Sequence, residues 1–291
     1  MEKRIDGRTV LLGLFGTPVK HSGSPAMYNY SFADKKINYA YLAFDIKAEE
    51  MATALDSMRL FGMRGANVTM PCKQKAAELV DQLSPAAKLV GAVNTIVNDN
   101  GILTGYNTDG AGYVQNLKHN GVDVKDKVIT LIGAGGAGTA IAVQVALDGA
   151  KQINIFNPKD VFFQNAEKTA AKIMKSVPNC QVTVNDIQDK ANLYQMIANS
   201  DIFGNATKVG MTPNIATTNI EDSSAFRPGL VVTDTVYSPD KTKMLQDAEK
   251  QGATVIGGRG MLIWQGAAAF QLYTGQEMPV DEVKALFFSK E

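Results

Sequence analysis

A chain of 291 residues, 45% hydrophobic and 20% charged, has room for about two ordinary globular domains. Its 29 basic and 29 acidic residues cancel to zero net charge, which excludes the electrostatic footprint of a nucleic-acid binder or of a protein drawn to anionic membranes. No run reaches the ~18 apolar residues of a membrane span, and two cysteines with two histidines offer no metal-site spacing.

The first residues, Met1 to Asp6, lack the apolar core of a signal peptide, so a cytoplasmic enzyme of small molecules, without a metal, is expected. Leu11 to Gly16 reads as the first strand. Ser24-Pro25 has the form of a helix start, with the helix running to about Ala33. Ser22 and Ser24 thus put two hydroxyls at one helix N-terminus, where they either serve the turn or receive a carboxylate. His21 reads as a loop residue. Tyr39 to Ile46 is a second strand, and Met51, Ala54, Leu55 and Met58 mark a crossover helix.

The strand in Gly65–Met70 stops at Pro71 and leaves Lys73 near the start of the next helix, where the dipole disfavours a cation. That lysine is either solvated or functional. Thr95–Val97 and Ile102–Thr104 flank a turn and read as a hairpin. Asp109 lies among glycines just before another helix, either as its N-terminal residue or as a reactive group.

Val128 to Ile132 is a buried strand that runs into Gly133-Ala134-Gly135-Gly136-Ala137-Gly138, and Ala137, Ala140, Ile141 and Val145 then recur at helical spacing. Gly133, Gly135 and Gly138 satisfy G-x-G-x-x-G between a strand and a helix, the context in which that pattern binds a pyrophosphate. Strands at Ile153–Phe156, Val182–Val184, Ile202–Asn205, Leu230–Thr233 and Thr254–Ile256 alternate with helices, which is the doubly wound, mostly parallel design. The loop 209–226 is a candidate mobile flap. Asp160, just after the second of these strands, can accept from a ribose hydroxyl or simply open the following helix. Met261–Phe270 is apolar nearly all round and reads as a buried helix between the domains; its Gln265 needs a ligand hydroxyl or a backbone carbonyl as partner.

Several segments in one order resemble the shikimate dehydrogenase family: Gly16-x-Pro18-x-x-His21-Ser22-x-Ser24-Pro25, Asn67-Val68-Thr69-x-Pro71-x-Lys73, Gly91-Ala92-Val93-Asn94-Thr95, Asn107-Thr108-Asp109-Gly110, the glycine turn, Asn205-Ala206-Thr207-x-x-Gly210-Met211, Val236-Tyr237-x-Pro239 and Gly260-Met261-Leu262-x-x-Gln265. The resemblance implies reversible hydride transfer between nicotinamide and a ring alcohol, shikimate against 3-dehydroshikimate. It implies Lys73 and Asp109 as the catalytic pair. Ser22 and Ser24 would take the substrate carboxylate, and Thr69, Asn94 and Gln265 the ring hydroxyls, with Tyr41 and Tyr237 also on the substrate. The cofactor would meet Gly133, Ala134, Gly135, Gly136, Ala137, Asn157, Lys159, Asp160, Thr207, Lys208, Val236, Gly258 and Met261.

Two departures refine this. Where NADP-preferring members carry Asn-Arg-Thr, this chain has Pro158 and an acid at Asp160, and Thr207-Lys208 replaces the usual Thr-Pro. Both, with Tyr41 and Trp264, resemble the quinate/shikimate dehydrogenase branch, so NAD is expected as preferred cofactor with NADP second, and quinate as a further substrate. The expected architecture is two α/β domains: a substrate domain over 1–112 with a mostly parallel sheet, on which helices of 261–291 pack back, and a Rossmann-type NAD(P) domain over 113–260. Glycines at 105–112 and 257–260 are expected to act as hinges. A homodimer is compatible with the sequence. The competing readings are a strictly NADP-dependent shikimate dehydrogenase and a dinucleotide-binding sensor without chemistry.

Overall fold

The structure, a computed structural model, describes residues 5–288; Met1–Arg4, read above against a signal peptide, and residues 289–291 of the expected carboxy-terminal helices lie outside them. The chain forms two compact units, one running to Thr108 and resuming at Gln265, the other spanning Asp109–Trp264. The first division precedes the expected boundary at 112/113 for a packing reason. Gly110 lies so close to the Ala140 carbonyl that a Cβ there would overlap it, so the helix beginning at Asp109 belongs with the second unit from its first turn.

The first unit contains β1 (Val10–Gly16), α1 (Ser24–Asp34), β2 (Tyr39–Asp45), α2 (Met51–Leu60), β3 (Gly65–Val68), α3 (Lys73–Leu79), β4 (Gln82–Leu83), α4 (Pro85–Val90), β5 (Thr95–Asp99) and β6 (Ile102–Tyr106). Its sheet has the order β2-β1-β3-β5-β6-β4. β1 is parallel to β2 and β3, whereas β5 runs antiparallel to β3 and β6. The β5–β6 hairpin closes at Asn100 and Gly101, with φ of 55° and 94°, the left-handed pair that a tight hairpin demands. The apolar stripe of α2 buries Met51, Leu55 and Met58 as its spacing required.

The second unit follows with α5 (Asp109–His119), β7 (Val128–Ile132), α6 (Gly136–Leu147), β8 (Gln152–Asn157), α7 (Val161–Ser176), β9 (Gln181–Asp186), α8 (Lys190–Ala198), β10 (Ile202–Asn205), β11 (Val231–Asp234), α9 (Lys243–Lys250) and β12 (Thr254–Ile256). Its strands, ordered β12-β11-β10-β7-β8-β9, are all parallel. Strand order reverses at β7, and a doubly wound sheet opens its binding crevice at such a point. α10 (Gly258–Thr274) leaves this unit and α11 (Val280–Phe287) follows it. From Gln265 the chain completes the first unit's core: Phe270 stacks on Phe32 with ring centroids 5.5 Å apart, and the Tyr28 hydroxyl donates to Gly266 O at 3.1 Å.

Three of the glycines in the segments read as hinges are closely packed. A Cβ on Gly105 would sit 2.5 Å from Val93, one on Gly258 2.5 Å from the Thr235 carbonyl, and one on Gly260 against Asn116 Oδ1. The loop read as a flap holds one hydrogen bond within itself, Gly210 N donating to Thr217 Oγ1, and meets the end of β10 through the Asn219 amide, which donates to Asn205 and Thr207.

Candidate active site

The glycine turn does what its spacing requires. Gly133 adopts φ +104° and donates its N–H to Phe156 O at 2.8 Å, so the chain can reverse at the end of β7. A Cβ on Gly138 would collide with the Gly133 carbonyl, which is why α6 can press against the turn. Gly135 and Gly136, in contrast, face open space, where the first N–H groups of α6 point. A cleft of about 370 Å³ opens there, lined by the turn from Gly133 to Ala137, by Asn157, Thr207 and Lys208, and by Val236 and Tyr237. The free approach at Gly135 and Gly136, a helix N-terminus and the Lys208 cation together fit a dinucleotide's pyrophosphate. Tyr237, expected on the substrate, lines this cleft and is half exposed. Gly258 and Met261, expected on the cofactor, do not line it: Gly258 is wedged beneath the carbonyls of Thr235 and Val236.

Asn157 couples the turn to the next element. Its Oδ1 accepts from Ala134 N at 3.0 Å, and its Nδ2 donates to Asp160 Oδ1 at 2.9 Å. Asp160 Oδ1 also accepts from Phe162 N and Phe163 N, so Asp160 caps α7. All these bonds fall on one oxygen of an exposed carboxylate. Lys159 lies 3.9 Å from Asp186 Oδ2, and neither Lys159 nor Asp160 lines the cleft proper.

Sequence reasoning missed Phe162, Ala206, Met211 and Thr235 on the cleft and Asn205 and Asp234 behind it. Phe162 carried a signal only as an aromatic at a helix start, and the structure leaves it half exposed. Asp234 carried one too, as an acid closing an apolar strand. Burial pushes its carboxyl up to about 6, although Val236 N–H, Thr242 hydroxyl and the Asn205 amide all donate to it.

On the first unit, Ser22 Oγ accepts from Ser24 N at 3.2 Å; Gly23 is the cap position of α1, so Ser24 opens the helix without capping it through its side chain. Thr69 follows β3 and is tied to β1 by its N–H to Phe15 O at 2.8 Å. Asn94 is buried at the centre of a polar cluster. Its Oδ1 accepts from Thr108 N at 2.8 Å and Thr95 Oγ1 at 3.0 Å, and its Nδ2 donates to Thr108 Oγ1 at 2.9 Å and to Gln265 Oε1 at 3.5 Å. Gln265 thus meets a side-chain amide, where a ligand or backbone carbonyl was expected. Tyr41, expected on the substrate, is fully buried and donates its hydroxyl to Asn67 Oδ1 at 2.8 Å. Lys73 opens α3, its carbonyl accepting from Val93 N at 2.9 Å, and Asp109 opens α5 directly after Thr108.

Comparison with known proteins gives the family. Residues 14–96 match the family model for the shikimate dehydrogenase substrate binding domain, and residues 258–286 match that for the shikimate 5'-dehydrogenase C-terminal domain. The shikimate dehydrogenase (NADP(+)) of Listeria monocytogenes serotype 4b (strain F2365) is 49% identical over 286 residues, 98% of either chain.

The chain belongs to the shikimate dehydrogenase family.

It is accordingly an NAD(P)-dependent oxidoreductase. Among solved structures, the shikimate 5-dehydrogenase of Listeria monocytogenes in complex with shikimate and NAD superposes with a TM-score of 0.96 at 49% identity, covering 99% of either chain. The quinate dehydrogenase of Corynebacterium glutamicum in complex with NAD gives a TM-score of 0.86 at 30% identity, covering 97% of this chain and 99% of its own. Among the described residues, no helix is long and apolar enough to cross a membrane, and no cluster of His, Cys, Asp and Glu could hold a metal.

Proposed function

We propose that this enzyme interconverts shikimate and 3-dehydroshikimate, that it prefers NAD to NADP, and that quinate is a second substrate. The observation that carries the reading is the whole-length likeness to a relative solved with shikimate and NAD, in a chain that has its own glycine-turn cleft. When bound, the nicotinamide supplies the hydride to the ring ketone or takes it from the ring alcohol.

The protein's residues handle the proton and the orientation. Hydride addition to a ketone builds negative charge on its oxygen. The Lys73 ammonium stabilises that charge and delivers the proton, and Asp109 orients the amine. Oxidation runs the same path backwards, with the neutral amine of Lys73 taking the hydroxyl proton. Ser22 and Ser24 bind the substrate carboxylate at the start of α1. Thr69, Asn94 and Gln265 address the ring hydroxyls, the two amides being already aligned by their mutual hydrogen bond.

The preference for NAD rests on Asp160, whose second carboxylate oxygen suits a ribose hydroxyl and repels a 2′-phosphate. Pro158 removes the arginine that would bind such a phosphate. The alternative, strict NADP use, is favoured by the name of the Listeria relative. Steady-state rates with shikimate and with quinate, each with NAD and NADP, decide between them. Higher kcat/KM for NAD supports the proposal, and higher kcat/KM for NADP overturns it. Absence of turnover with quinate removes the second substrate alone.

A further inference from the structure

Two loops build the part of the cleft that the glycine turn does not. One follows β10 and contributes Thr207 and Lys208; the other follows β11 and contributes Thr235, Val236 and Tyr237. Loops of this kind hold a ligand well only if something fixes their spacing. The expected device is a side chain shared between them.

Asp234 is that side chain. It ends β11, is 3% exposed, and pairs in register with Asn205, the last residue of β10. Its Oδ1 accepts from Asn205 Nδ2 at 3.0 Å and from Val236 N at 2.9 Å. Its Oδ2 accepts from Thr242 Oγ1 at 2.7 Å, the residue that caps α9 and ends the second loop. Asn205 passes the constraint on, since its Oδ1 accepts from Thr207 N at 3.1 Å, Thr207 Oγ1 at 2.7 Å and Asn219 Nδ2 at 3.1 Å.

We propose that Asp234 is the positioning residue of the dinucleotide cleft, one carboxylate that clamps the loop after β10 to both ends of the loop after β11. It does not itself line the cleft and acts through Asn205, Val236 and Thr242. A carboxylate suits the task because it accepts several hydrogen bonds at once, and charged acceptors bind N–H and O–H groups more tightly than neutral ones. Keeping so hard an acceptor buried away from water is costly unless its bonds are needed. The inference rests on the reading of this cleft as the dinucleotide site.

Asp234→Ala and Asp234→Asn separate positioning from charge, since asparagine retains Oδ1 for both Asn205 and Val236. The Kd of NAD and NADP for the unloaded proteins is read by calorimetric titration, with KM for each substrate by steady-state kinetics. Asp234→Ala is expected to raise the dinucleotide Kd and KM at least tenfold while KM for shikimate at saturating dinucleotide stays within twofold. Asp234→Asn should recover a Kd within about threefold of the parent. A folded Asp234→Ala protein whose dinucleotide Kd is within twofold of the parent overturns the proposal, as does an equal rise in both KM values. If Asp234→Ala does not fold, Asn205→Ala breaks the same clamp from the other side, and an unchanged Kd there is equally decisive. A parent protein that binds neither NAD nor NADP refutes the reading of the cleft itself, an outcome distinct from an insensitive variant.

Discussion

The carboxamide oxygen of Asn94 accepts the backbone N–H of Thr108 at 2.8 Å, and the residue just before Asn94 donates its own N–H to the Lys73 carbonyl at 2.9 Å. One short segment therefore holds the start of α3 and the last residue before α5 in a fixed relation. Lys73 supplies one of those backbone groups itself, and Thr108, 35 positions further on, supplies the other. An amine whose work depends on placement is well served by such anchoring, because a positioned acid or base loses much of its effect when displaced by an ångström.

Replacing Lys73 by alanine is expected to lower kcat by about 10²–10⁴, the usual contribution of a positioned acid or base. The same variant should keep its melting temperature, since Lys73 is at the start of α3 and its side chain is not part of the core. Near-parental turnover with only a raised substrate KM would make Lys73 a binding residue and remove it from the chemistry.

Cofactor choice is expected to respond to one loop. Pro158→Arg with Asp160→Ser replaces a repelling acid by a phosphate partner while a serine still caps α7. The ratio of kcat/KM for NADP to that for NAD should rise at least tenfold. An unchanged ratio places the discrimination elsewhere in the cleft.

The two open glycines and the closed one should separate stability from affinity. Gly138→Ala sets a methyl against the backbone carbonyl of Gly133, which cannot move aside, so a loss of about 1–3 kcal/mol of stability is expected. Gly135→Ala meets nothing within 4 Å and has φ −73°, so its melting temperature should hold while dinucleotide affinity falls. Equal destabilisation by both would show that the turn tolerates no side chain at all.

Asp234 predicts a pH signature. Its carboxyl is raised from 3.8 to about 6, so the folded protein binds that proton more tightly than the unfolded chain. The associated stability is fully present below pH 4 and is lost as the pH rises through 6, a span of about 3 kcal/mol. Asp234→Asn has no proton to lose there. The stability of the parent minus that of Asp234→Asn should fall between pH 4 and 7, as read from denaturant midpoints. A difference that is flat or rises with pH would show that the carboxyl is not raised.

Much of this was legible in the residues, and for identifiable reasons. The glycine turn announces itself because its backbone demands leave few substitutes, as Gly133 and Gly138 show. Parallel strands such as β7 stand out because both faces are buried. α9 has little signal in the sequence, since half of Lys243–Lys250 is charged and only Met244, Leu245 and Ala248 mark its buried stripe. The full burial of Tyr41 was not legible, because residue type alone does not say which side of a strand ends covered. The clamp at Asp234 was invisible for a related reason: its partners Asn205 and Thr242 are 29 positions before and 8 positions after it, and no local pattern ties them together.

The first unit is assembled from both ends of the chain, and this bears on how the protein is made. A ribosome releases residues up to Thr108 well before Gln265, so Tyr28 and Phe32 wait without Gly266 and Phe270 while the whole nucleotide-binding unit is synthesised. The later unit can close on itself first, because its span is continuous. Nascent chains stalled before Gln265 should therefore carry a protease-resistant middle and a protease-sensitive beginning, the reverse of their order of birth.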